Sequence, residues 1–258
     1  MGYRILLLLA VLASLFCSAA PPAPLTVAVG LRLAPYVLDD SSGGLEYEYV
    51  DAIMRKLGYR MRPKFMFLGD VATAIRTGQA DMALTLQADM VPGLAVSRPY
   101  VAYQNVAISL QARHLEIRGI ADLKPFSVAA FAEARQYLGP AFAAQMAGKT
   151  DYHEHPNQIR QNISLYQGQS DVVVVDVNIF AFLDQRLGSE VKRQPVTVHE
   201  IFPRNEYVAA FRDPVLRDRF NEVLSQARSL PEFEAIKLRW QGRLRQPIEN
   251  VLLDGSVQ

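Results

Sequence analysis

One local pattern occurs twice in this chain and constrains its architecture more than any other feature. Gly78-Gln-Ala-Asp81 runs into Met-Ala-Leu-Thr-Leu, and ninety positions later Gly168-Gln-Ser-Asp171 runs into Val-Val-Val-Val-Asp. Each glycine closes a helix-like segment, because glycine takes the left-handed conformation at a helix C-terminus without a steric cost. The short apolar run that follows each acid reads as a strand buried on both faces of an α/β sheet. Two copies of a helix–Gly–Asp–strand unit predict two similar α/β lobes rather than one long sheet. Paired lobes enclose a cleft, where small ligands commonly bind.

The N-terminus sets the compartment. Arg4 precedes an apolar run from Ile5 to Phe16, followed by Cys-Ser-Ala-Ala and a proline cluster. That order, basic then apolar then small residues, predicts a secretory signal peptide over residues 1–20 and a periplasmic product. Cys17 follows Phe16 rather than the small residue a lipid attachment site wants, and it departs with the signal. The mature chain then has no cysteine and depends on its core, which roughly 235 residues can supply. Net charge is +1 with no long run of one sign, so nothing indicates a nucleic-acid binder.

Strands are expected at Leu25–Gly30, Tyr59–Phe67, Met82–Leu86, Tyr103–Leu110, Ser127–Phe131 and Phe202–Phe211. Helices are expected at Leu45–Leu57, Val71–Thr77 with Asp70 as its cap, from Ala134, over Gln158–Tyr166 and over Val215–Arg228. A last, shorter helix opens at Pro231 and carries Trp240. No low-complexity linker separates the halves, which suits lobes joined by two crossing strands at Val106–Leu110 and His199–Tyr207.

Seven short motifs stand in a fixed order: Ala34-Pro-Tyr36, Gly44-Leu-Glu-Tyr-Glu-Tyr-Val-Asp-Ala-Ile53, Ala74–Asp81, Ser97-Arg-Pro-Tyr100, Asp122-Leu123, Asp171–Asp176, and Leu216–Asn221 with Trp240. In this order the chain resembles the periplasmic solute-binding proteins of family 3, the amino-acid-binding receptors of ABC transporters. The resemblance implies an α/β, two-lobed periplasmic binding protein fold (type II). Its two parallel-type sheets would be flanked by helices and joined by two hinge strands. Residues 25–107 and 204–258 would form one lobe and residues 108–203 the other. The partners implied are a small ligand and an inner-membrane permease or sensor protein, with a monomeric receptor and no cofactor.

The family holds an amino acid with an arginine, a Gly-Thr-Thr turn and an aspartate. Asp176 matches the aspartate, five residues after Asp171, and is expected to anchor an ammonium group. The arginine's slot holds Met90 or Gly93 depending on the end counted from, and Arg98 falls at a variable position. The turn reads Glu133-Ala134-Arg135. Arg135 could replace the missing guanidinium, or Glu133 could add a second negative group suited to an amine or diamine; the residues leave both open. Tyr36 takes the slot of the ring that covers the ligand, and Thr85 and Gln87 can offer a hydroxyl and an amide.

Two alternatives remain. A dehydratase on the same fold would use Glu133 or Glu48 as a buried acid. A non-transport adaptor would fill its cleft with Met90, Phe131 and Tyr36. The triplet His153-Glu-His155 has no evident third ligand and reads as a surface loop rather than a metal site.

Overall fold

The computed structural model describes residues 23–38 and 43–255. The signal read over residues 1–20 lies outside the described residues. The chain opens with β1 (Ala23–Gly30), α1 (Leu45–Lys56), β2 (Tyr59–Met66), α2 (Leu68–Arg76) and β3 (Met82–Leu86). Two short strands follow, β4 (Ala95–Val96) and β5 (Val101–Tyr103). Beyond Gln104 come β6 (Asn105–Leu110), β7 (Val128–Phe131), α3 (Ala134–Tyr137), α4 (Gly139–Met146) and β8 (Tyr152–His155). Next are α5 (Ile159–Tyr166), β9 (Val172–Asp176), α6 (Val177–Asp184) and β10 (Val196–His199). The chain returns as β11 (Asn205–Phe211), α7 (Pro214–Leu224), α8 (Pro231–Trp240) and α9 (Ile248–Val251).

These strands form two sheets, one per lobe. The first runs β2-β1-β3-β11-β4 with β5 also on β11, and the second runs β10-β6-β9-β7-β8. Each sheet has a parallel core, β2-β1-β3 and β8-β7-β9, against which a crossing strand packs antiparallel. The sheets are therefore mixed rather than purely parallel. Pro63 is tolerated in β2 because that strand is an edge and pairs only with β1.

Several boundaries differ from the sequence reading, each for a physical reason. The apolar run from Tyr103 is broken at Gln104, where the chain changes sheets. Asn105 to Ala107, expected in the first lobe, pair with β9 in the second sheet, so the crossing lies just before the expected Val106–Leu110. The return crossing occupies 200–204, between β10 and β11. Helix α2 begins at Leu68 with Phe67 as its cap, so Asp70 sits within its first turn rather than before it. His153-Glu-His155 belongs to β8, an edge strand and not a loop.

The repeated unit is repeated in three dimensions. Gly78 (φ 75°) ends the turn after α2, and Gly168 (φ 69°) ends the turn after α5. Both following strands, β3 and β9, are buried along their whole length. The acid after each glycine holds the neighbouring strand in its lobe, within β1 at Thr26 and just before β7 at Ser127. Thr26 N–H donates to Asp81 Oδ2 at 3.0 Å, while Ser127 donates to Asp171 Oδ2 through its N–H at 3.0 Å and its hydroxyl at 2.8 Å. Burial pulls the Asp171 pKa upward, but the Ser127 bonds and the Arg113 guanidinium at 2.7 Å hold it below the ordinary carboxylate value.

Asp171→Ala should therefore destabilise by about 2 kcal/mol, and Asp81→Ala, which loses one bond, by about 1 kcal/mol. Thermal unfolding should show drops of roughly 4–8 °C and 2–4 °C. Two neutral variants would show that the acids do not hold the neighbouring strands.

Candidate functional site

Where the lobes meet, the strand ends converge on a closed cleft. Asp176 ends β9 and caps α6, its Oδ1 accepting the N–H groups of Asn178 and Ile179 at 2.9 Å each. Its Oδ2 accepts Gln104 N–H at 2.9 Å, from the crossing residue itself. The Tyr36 hydroxyl, on the loop after β1 in the other lobe, donates to the same carboxylate at 3.1 Å. Asn178 Nδ2 in turn donates to the Tyr36 hydroxyl at 3.0 Å. Burial pushes the Asp176 pKa up to about 6 despite the bonds donated by Ile179, Tyr36, Gln104 and Asn178. Burial and the adjacent Asp176 carboxylate raise Tyr36 well above the ordinary phenol value, so it stays a donor.

Behind Tyr36 lies a second buried acid. Glu46, in the first turn of α1, accepts from Thr85 Oγ1 at 2.7 Å, from Tyr103 at 2.6 Å and from Tyr100. Burial raises its pKa, and the hydroxyl donors oppose that shift. Thr85 adopts φ 57° at a bulge where Leu84 and Thr85 oppose Ala209 alone. A β-branched residue in that region carries about 1–3 kcal/mol of strain. The Tyr100 hydroxyl accepts the displaced Thr85 N–H at 2.9 Å and so helps to hold it. Tyr36 stacks on Tyr103 with ring centroids 3.8 Å apart and planes 15° from parallel. Tyr103 meets the edge of Tyr207, and Tyr207 lies beside Tyr137.

Beside them lies an inner cavity of about 20 Å³, lined by Asp176, Thr85, Asn105, Gln158, the rings of Tyr103, Tyr137, Tyr207 and Phe131, and the aliphatic Leu33, Leu68 and Ile179; Tyr36, expected as the ring over the ligand, does not line it. Among the described residues no basic side chain lines it. It shares Leu33, Leu68, Phe131 and Gln158 with an outer groove of about 360 Å³. That groove carries Glu133, Asp70, Arg32 and His155 at its walls.

The residues singled out in the sequence fall into three places. Asp176 and Tyr36 meet across the cleft. Thr85 lines the inner cavity, but its hydroxyl is spent on Glu46. Gln87 straps the lobes together, its Nε2 donating to the Tyr137 carbonyl at 3.0 Å. Glu133 takes φ 66° and reaches across the groove to α2, where a Cβ placed on Gly69 would lie 3.3 Å from its Oε1. Arg135 turns the other way. It pairs with Glu154 at 3.3 Å, lies over the Tyr152 ring, and lines a separate open groove with Gln87 and Asn205.

Three other candidates are corrected. Arg98 is tied to α7 through the Asn221 carbonyl at 2.5 Å. Glu48 is bound on the outside of the first lobe by Arg239 and by Trp240 Nε1 at 3.2 Å, so it cannot serve as a cleft acid. Met90 lines neither the inner cavity nor the outer groove. Glu46, Tyr103, Tyr137, Gln158 and Asn178 were not read as site residues. Glu46 stood in the quoted Gly44–Ile53 motif, two residues before Glu48, and the helical period between them was the available signal.

The Asp176 pKa carries a signed consequence. It is higher in the folded protein than in the unfolded chain, so its contribution is full below the unfolded value and is lost as pH rises through about 6. Between about pH 4.5 and about pH 7.5 this removes about 2 kcal/mol. Urea unfolding should show that loss reduced in Asp176→Asn, which keeps a helix cap. An equal loss in both proteins would place the titration elsewhere.

Among the described residues no helix is long and apolar enough to cross a membrane. No sequence among curated proteins matches the chain. Solved structures of the same fold include an ancestral arginine-binding protein bound to glutamine, at 21% identity and TM-score 0.68, covering 85% of this chain and 98% of that one. A histidine kinase sensor domain similar to periplasmic binding proteins aligns at 18% identity and TM-score 0.71, over 91% and 99% of the two chains. An ancestral amino-acid-binding protein described as a precursor of cyclohexadienyl dehydratase aligns at 19% identity and TM-score 0.67, over 84% and 95%. The family profile of the bacterial extracellular solute-binding proteins, family 3, matches residues 25–243, and the chain belongs to that family.

Proposed function

We propose that this chain is an exported receptor that captures a small polar, amine-bearing ligand between its lobes, for uptake through an ABC-type permease or for sensing. The observation that carries this reading is the lining of the inner cavity, which holds the carboxylate of Asp176 and four aromatic rings but no arginine or lysine. An acid among aromatic faces favours an ammonium group by charge and by cation–π attraction. A ligand carboxylate would find no partner there. Both solute receptors and sensor domains share the fold.

The catalytic alternative has little support in the geometry. Glu48 faces away from the cleft, Glu46 lies behind Tyr103 and Thr85, and Glu133 stands at the mouth of the outer groove. The adaptor reading has one observation in its favour, the Tyr36 hydroxyl already seated on Asp176 beside a cavity of about 20 Å³.

A thermal-shift screen of amino acids, amines and small carboxylates separates these. A ligand at a hundred times its Kd stabilises by about 2.7 kcal/mol, or roughly 5–10 °C at this size. The receptor reading expects a shift from an amine-bearing class that is lost in Asp176→Asn. A shift from carboxylates alone would contradict it, and no shift from any class would favour the adaptor.

A further inference from the structure

Among the described residues, two polar atoms at the inner cavity have no partner. Gln158 Oε1 and the Tyr137 hydroxyl are buried without a hydrogen bond, and both residues line the cavity. The amide of Gln158 cannot be turned round to relieve this, because its Nε2 donates to the Arg32 carbonyl at 3.1 Å across the cleft. A flipped amide would set oxygen against oxygen. Oε1 is therefore fixed as an acceptor. Leaving such groups unsatisfied costs about 1–3 kcal/mol each, which a fold keeps only with a use for them.

The shape of the space narrows that use. The cavity of about 20 Å³ admits one group the size of a water molecule. It communicates with the outer groove past Leu33, Leu68 and Phe131, an apolar collar. An α-amino acid would bring its carboxylate into that collar beside Asp176, with no base to meet it. An ammonium at the tip of an unbranched chain meets neither obstacle.

We infer that the ligand enters amine first, as a linear primary alkylamine or α,ω-diamine, with its ammonium donating to Gln158 Oε1 and the Tyr137 hydroxyl beside Asp176 and its chain leaving through the collar. This rests on the amine-receptor reading and refines its ligand class. A quaternary ammonium has no N–H to offer and is excluded. The far end of the chain lies in the outer groove, where the acids Asp70 and Glu133 accompany one base, Arg32, and His155, whose pKa burial lowers. A second ammonium is tolerated there.

Tyr137→Phe isolates the claim. It removes a hydroxyl with no partner in the protein and keeps the carbonyl that Gln87 and Asn205 bind. Titration calorimetry with n-butylamine, 1,4-diaminobutane, tetramethylammonium and a panel of α-amino acids reads binding, and urea unfolding reads stability. Expected are binding of the first two and not of tetramethylammonium, and roughly tenfold weaker binding in Tyr137→Phe with stability unchanged or raised. Unchanged amine binding in Tyr137→Phe, or tetramethylammonium binding as tightly as butylamine, would overturn the inference. Binding of α-amino acids without linear amines would overturn it while leaving the wider amine reading intact. No binding by any amine-bearing probe would overturn both.

Discussion

The hydrogen bond from Tyr36 to Asp176 joins the two lobes at the point where their sheets converge, and the arrangement of the cleft follows from it. The carboxylate serves at once as strand end, helix cap and acceptor for the crossing residue Gln104. A phenol from the other lobe completes it, so closing the cleft and satisfying a buried charge are the same event. Three further hydrogen bonds assist: Gln87 on the Tyr137 carbonyl, Gln158 on the Arg32 carbonyl, and Arg245 N–H on Asn178 Oδ1. Individual bonds of this kind contribute about 0.5–1.5 kcal/mol.

The two buried acids have different solutions to the same problem. Glu46 is surrounded by hydroxyls of its own lobe and is independent of closure. Asp176 needs the other lobe. Glu46 therefore acts as a support, fixing Tyr103 behind Tyr36 and holding Thr85 in its strained bulge, whereas Asp176 is the group whose environment changes when the lobes part. In the proposed complex the ammonium stands beside the same carboxylate and adds a cation to the bonds that already hold it, which favours the closed form by charge.

Local chemistry was legible in the sequence, and long-range chemistry was not. The Gly-x-x-Asp-strand units could be read because glycine turns and apolar strands are properties of a few neighbouring residues. Asp176 was legible for the same reason, as an acid at a strand end. Arg135 was not, since its direction is set by Glu154, nineteen residues away on β8. Glu46 and Glu48 lie on one helix two residues apart, and only the packing of α1 against β3 and α8 decides which is buried. Gln104 carries no turn signal, because a strand that changes sheets need not turn.

The most direct test of the account is the distance between the lobes. Cys17 is the only cysteine in the sequence, so in a Cys17→Ser background Thr73→Cys on α2 and Arg160→Cys on α5 give two unique sites for spin labels beside the groove. Pulsed electron resonance should find one short, narrow distance in the otherwise unaltered protein. Tyr36→Phe should lengthen and broaden it, and n-butylamine should restore the short distance. A Tyr36→Phe distribution identical to that of the unaltered protein would show that the bond to Asp176 does not hold the lobes together.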